Sequence, residues 1–132
     1  MNVRYALLFV AAPVAIGAIA ACATMLDKRP EPRPKAEVVG DPASCIPISQ
    51  IRETRIRDDW TIDFISSGNR AWRNALTQRC PGLRSRNAIT YETSLTQLCN
   101  TDIVYVLETA GGIRRGPACS LGQFVPVRLE RR

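Results

Sequence analysis

The sequence contains no histidine. That absence excludes Ser-His-Asp and Cys-His nucleophilic catalysis. It also excludes His-containing zinc sites, the two-His iron triad and histidine-based pH switching. An enzyme on this chain would have to work with carboxylates, Lys, Tyr, Ser or Cys. Lysine is almost missing too: Lys28 and Lys35 stand against an arginine excess that takes the net charge to +6. No block of five or more like charges occurs; the arginines are scattered, as at Arg52, Arg55, Arg57, Arg70 and Arg73. Scatter of this kind is first a solvated surface, and second a face for a polyanion or for anionic lipid headgroups. No C-x-x-C pair is present, which argues against a zinc site and against dithiol exchange. The 132 residues suffice for one domain, and they contain no internal repeat.

What is present begins with an apolar N-terminus. Arg4 is followed by "YALLFVAAPVAIGAIAA", residues 5–21, the charge–apolar–small layout of a secretory signal. Three readings compete. The first is plain cleavage after Ala20 or Ala21. The second is a retained membrane helix, since the uncharged run from Tyr5 to Met25 reaches the required length of about 20 residues, Pro13 and Gly17 notwithstanding. The third, which is preferred, is a lipoprotein signal. Ile19-Ala20-Ala21-Cys22 resembles the lipobox of bacterial lipoproteins, in which the cysteine is acylated and becomes residue 1 of the mature chain. Palmitate-type chains, two or three together, anchor stably where one is marginal. Ala23, rather than Asp, follows the cysteine and favours the outer membrane over the inner. The expected divisions are a signal peptide at 1–21, a lipidated Cys22 with a Pro-rich tether to residue 44, and a globular domain at 45–132. Pro30, Pro32, Pro34 and Pro42 stiffen the tether, which could reach on the order of 50 Å at roughly 3 Å per residue.

The globular part reads as short strands. "WTIDFIS" alternates Trp60, Ile62 and Phe64 with Thr61, Asp63 and Ile65. "SSGN" is a hairpin turn, and "RAWRNAL" places Trp72, Asn74 and Leu76 on one face. "CPGL" is a second turn, "AITYETS" a further strand, and "DIVYVLE" a central strand apolar on both faces. "TAGGIRRG" is a hairpin tip. "GQFVPVRLE" closes the chain as a strand in which Pro126 suggests an edge or a bulge. Helical candidates are "SLTQLC" at 94–99, too short to stand alone, and a turn within "CIPISQI" at 45–51. The expected fold is mainly β: a small antiparallel barrel or curled sheet, disulfide-stapled, with at most one short helix.

Five cysteines are an odd number. Setting Cys22 aside leaves Cys45, Cys80, Cys99 and Cys119, which an oxidising envelope compartment would pair in one of three connectivities. Among the carboxylates, Asp58-Asp59 reads as a turn, because adjacent strand residues point to opposite faces. Glu92 and Asp102 have no partner spacing that marks a site. "GGIRRG" at 111–116 lacks the strand–loop–helix context of a phosphate loop. A catalytic site, if one existed, would draw on Asp63, Glu92 or Tyr91.

The segments Cys45-Ile46, "IRETRIRDDWTIDF", "WRNAL…RCPGL", "ITYETS…QLCNTDIVYVL" and "GPACSLGQFVPV" together resemble a family of small proteobacterial envelope proteins. That family is defined only as a domain of unknown function. The resemblance covers the globular part. It implies a lipoprotein or signal segment, the domain limits and a four-cysteine framework. It implies no activity, so no catalytic residue follows from it.

The expected function is therefore a lipid-anchored, periplasm-facing envelope protein with a non-enzymatic structural or interaction role. It needs no cofactor, no metal and no nucleic acid, and its partners are the membrane, through its lipid, and an envelope component. The alternative is a basic binding module for lipopolysaccharide, peptidoglycan or an acidic partner. Its candidate anion-binding residues are Arg52, Arg55, Arg57 and Arg73, flanked by Trp60 or Trp72.

Overall fold

A computed structural model describes residues 29–93 and 95–131. The apolar run, the lipobox-like stretch and Cys22 lie outside the described residues. The strands are β1 (Ala36–Val38), β2 (Cys45–Pro47), β3 (Glu53–Ile56), β4 (Thr61–Ser67), β5 (Arg70–Ala75), β6 (Ile89–Tyr91), β7 (Gln97–Cys99), β8 (Ile103–Glu108), β9 (Arg114–Ser120) and β10 (Phe124–Leu129). A 3-10 turn, Ile48–Gln50, follows β2, and a four-residue helix α1, Leu83–Arg86, follows β5. The large sheet runs β1-β10-β5-β4-β3, with antiparallel neighbours throughout; β2-β7 and β6-β8-β9 form two smaller sheets. The sheets are open, so the fold is the curled-sheet form of the mainly β expectation rather than a closed barrel.

The alternation in "WTIDFIS" has its meaning here. Ile62 and Phe64 of β4 point inward and pack with Phe124, Leu76, Ile46, Leu98, Val104 and Val106. The Phe64 and Phe124 rings meet at 5.7 Å. Large side chains buried this fully contribute about 1.5–3 kcal/mol each. Asn74 is the one buried amide on this inner face, and it is satisfied: it donates to Gly122 O at 2.7 Å and accepts from Gly122 N at 2.8 Å. Only glycine fits at 122, since a Cβ there would lie 2.1 Å from Ala75 O. β4 turns into β5 through Gly68, whose φ of +57° suits the first position of a two-residue hairpin loop. The register slips between Ile65 and Ser67, leaving Ser66 as a bulge.

The disulfides select one of the three connectivities: Cys45–Cys99 and Cys80–Cys119. The first joins opposite residues of β2 and β7, with Cα atoms 4.0 Å apart. The second ties the turn before α1 to β9. Closing loops of 54 and 39 residues, each bridge restricts the unfolded chain and is worth about 2–4 kcal/mol.

Three local expectations are corrected. Residues 97–99, expected in a short helix, are strand β7: pairing with β2 supplies backbone partners that a lone single turn would lack. Among the described residues the α-helix lies instead at Leu83–Arg86, after "CPGL", entered through Gly82 at φ +81° and left through Asn87 at φ +52°. β10 is not an edge strand, because β1 pairs with it from Ala36 to Val38. Pro126 is tolerated because its carbonyl accepts from Val39 N, just past the end of β1, and its missing N–H falls on that same side.

β1 also extends the ordered chain into the stretch expected as tether. Residues 29–35 strap the outer face of the large sheet. Arg29 Nη2 donates to Leu76 O at 2.8 Å and its guanidinium lies 4.7 Å from the Trp60 ring centroid. Pro34 O accepts from Arg73 at 3.0 Å, and Glu130 N donates to Lys35 O. Beside the strap sits a second, smaller apolar cluster of Ile65, Ala71, Val127 and Leu129.

Candidate functional site

Two groups of arginines flank the β4–β5 hairpin, and they are built differently. The first centres on Asp63. Its position on β4 is directly opposite Arg55 on β3 and Arg73 on β5, so all three side chains share the outer face. Arg57, two residues beyond Arg55, shares that face as well. Asp63 is fully buried and accepts from Arg57 Nε at 2.6 Å, Arg73 Nε at 2.8 Å and Arg73 Nη2 at 2.9 Å. Arg57 Nη2 is buried with no hydrogen-bond partner. Arg55 turns the other way and grips Glu53 with two hydrogen bonds of 2.8 and 2.9 Å. Those hydrogen bonds hold the Glu53 carboxyl below its ordinary 4.5 and push the Arg55 guanidinium up. Chemically this group is a closed ion cluster: the carboxylate has two guanidiniums on it, and no face of it meets solvent.

The second group is open. Ser49 and Gln50 of the 3-10 turn, Arg52, the bulged Ser66, Ser67 and Arg70 enclose a cleft of about 350 Å³. It continues into a trough of about 410 Å³, lined by Trp72, Pro126, Val39 and Val127, with Asp41 in its wall. Gln50, Ser66 and Arg70 border both. Arg52 and Arg70 are exposed, and neither has a carboxylate partner among the described residues. Arg55, Arg57, Arg73, Arg115 and Arg128 each have one.

The four candidate anion-binding residues therefore separate. Arg55, Arg57 and Arg73 gather on the outer face around Asp63 and Glu53, while Arg52 lies on the opposite parity with Arg70. Trp60 is held under Arg29, and Trp72 borders the open trough. Arg70 and the serines are residues that strand alternation does not single out. The bulge at Ser66 breaks the period, and the 3-10 turn arrives from a different part of the chain.

Asp58, Asp59, Asp102 and Glu92 serve local structure. Asp58 Oδ1 accepts from Trp60 N at 2.7 Å, closing the turn before β4. Asp59 accepts from Arg84 N at 2.9 Å and from Arg79 Nη2 at 3.2 Å, holding α1 in place. Asp102 accepts from Cys99 N at 2.7 Å. Glu92 is ion-paired with Arg115, whose guanidinium also lies 5.2 Å from the Tyr105 ring centroid. "GGIRRG" is a hairpin end with Gly111 and Gly112 at positive φ. Among the described residues, no group of three or more Cys, Asp or Glu could hold a metal ion. No helix among them is long and apolar enough to cross a membrane. No family model, curated protein or solved structure matches the chain.

Proposed function

We propose that the protein is a lipid-anchored module of a bacterial cell envelope with a structural or interaction role and no catalytic one. The observation that carries this reading is the cysteine arrangement. Two bridges pair Cys45 with Cys99 and Cys80 with Cys119, leaving Cys22, behind Ile19-Ala20-Ala21, as the one cysteine outside them. Bridges of this kind belong to an oxidising compartment, the compartment in which a lipobox cysteine is acylated. The absence of histidine supports the non-enzymatic part. The strap shortens the expected leash. Arg29 is fixed on the sheet, so six residues, 23–28, and thus seven Cα–Cα links separate Cys22 from the folded surface. Fully extended they span about 25 Å, half of the reach expected from the whole tether. On this reading the domain sits close to the bilayer, facing the periplasm, with the outer membrane favoured. Mass spectrometry of the mature protein tests it: the expected N-terminal residue is an acylated Cys22. An intact Met1, or an unacylated mature terminus, overturns it.

A second reading, an anion-binding module for an envelope ligand, is favoured by one observation: Arg52 and Arg70 share an open cleft without a carboxylate between them. Co-sedimentation with envelope fragments at low and high salt tests it. Binding at low salt that weakens at high salt is expected, and no binding at low salt rejects it.

A further inference from the structure

We propose that the cleft and trough beside the β4–β5 hairpin form one site for an acidic sugar, a ring carrying a carboxylate or phosphate, rather than for a bare anion. The proposal rests on the anion-binding reading and gives its ligand a chemical class. The charge comes first. Arg52 and Arg70 present guanidinium forks that match the two oxygens of a carboxylate or phosphate. No acid competes for them at that end.

The rest of the lining is what a bare anion would not use. Ser49 and Ser67 carry hydroxyls and Gln50 an amide, each able both to donate and to accept, while Ser66, whose proton goes to Arg70 O, keeps its oxygen as an acceptor. Ring hydroxyls need that two-way capacity, whereas an inorganic anion only accepts. Ser66 is brought to the cleft by the bulge, the device by which sheets re-aim a side chain toward a site. Its Oγ donates to Arg70 O at 3.3 Å, tying the hydroxyl to the arginine-bearing backbone.

Beyond the polar end the trough turns apolar, with Trp72, Pro126 and the exposed Val39 offering surface for the C–H face of a ring. A few placed polar groups beside an aromatic floor is the usual composition of a small-molecule site. Asp41 lines the trough, which Arg70 also borders, but not the cleft that Arg52 and Arg70 share. It accepts from hydroxyls and repels a second negative charge, so it orients the acid group toward Arg52 and Arg70.

Titration calorimetry on the full mature protein, with glucuronic acid, glucose and acetate as probes, tests the proposal. Glucuronic acid is expected to bind saturably, and about tenfold or more tighter than either glucose or acetate. R52Q and R70Q are each expected to lose about tenfold. R114Q, an exposed arginine outside the cleft, is expected to lose nothing. Acetate binding as tightly as glucuronic acid overturns the sugar site and leaves the anion reading standing. Glucose binding as tightly as glucuronic acid overturns the role of both arginines and the anion reading with it. No binding of any probe, or equal loss in R114Q, rejects the site outright.

Discussion

Arg57 and Arg73 close on Asp63, whereas Arg52 and Arg70, which flank the same hairpin, face a cleft with no acid at their end. The residue type is the same and the strands are neighbours, yet the energetic roles are opposite. In the closed group, strand register sets a carboxylate directly between cations, and the strap adds Pro34 O to Arg73. Its members are desolvated, so each is worth most to the others as a partner already in place. In the open group nothing within the fold uses the positive charge. Polar groups that a fold does not consume are the ones available to a ligand, and buried ones that it does consume hold strands together.

That contrast is broken most severely at Asp63. Asp63→Ala leaves two largely buried guanidiniums without their carboxylate, and the expected loss in denaturant unfolding is about 3–5 kcal/mol. A loss below about 1 kcal/mol would show that the cluster is not desolvated as described. The strap is next. Arg29→Ala removes a hydrogen bond to Leu76 O and the stacking on Trp60, together about 1–2 kcal/mol. Faster trypsin cleavage after Lys35 is the accompanying sign, and an unchanged rate would detach Arg29 from strap stability. Glu53 with Arg55 is an exposed pair lying between the two extremes. The Glu53 carboxyl titrates below 4.5 because Arg55 hydrogen-bonds to it. Its small contribution is therefore complete above the ordinary carboxylate range and is lost as pH falls through the lowered value. Glu53→Gln should be slightly less stable than wild type at neutral pH and indistinguishable from it in strong acid. A difference that persists in acid would assign the effect to packing.

The sequence was most informative where periodicity is local. Trp60 to Ile65 alternates because Ile62 and Phe64 meet the apolar core while Asp63, on the other face, meets arginines, and the "SSGN" turn announces its hairpin through Gly68. Cysteine parity foretold two bridges. It could not foretell which, since the choice of Cys99 for Cys45 depends on β2 meeting β7 across a separation of 54 residues. β1 was invisible for a related reason: three residues pair through backbone alone, and "AEV" has no signal that distinguishes it from linker. Asp63 could be seen as a carboxylate in a strand, but its neutralisation lies in the register of three strands. Arg52 stood among the candidates while Arg70 did not, because the bulge at Ser66 and the 3-10 turn that bring them together leave no trace in alternation.

The open group gives the smallest stability effect and the sharpest test of the comparison. Arg52→Gln and Arg70→Gln each remove an exposed guanidinium that has no carboxylate to lose. The expected change in unfolding free energy is within about 0.5 kcal/mol. Its sign is informative too. Two like charges lining one cleft repel, so removing one relieves that repulsion, and each variant should match or slightly exceed wild type at low salt. Added salt screens the repulsion over roughly 10 Å at 0.1 M, so the advantage should fade as salt rises. Asp63→Ala runs the other way, losing stability at every salt concentration because its cations are shielded from solvent. A clear destabilisation by Arg52→Gln or Arg70→Gln would mean that the fold does consume these charges, and the distinction between the two arginine groups would fall. Neutral or stabilising substitutions that abolish ligand binding would instead fit a site that holds a stability cost for the sake of function.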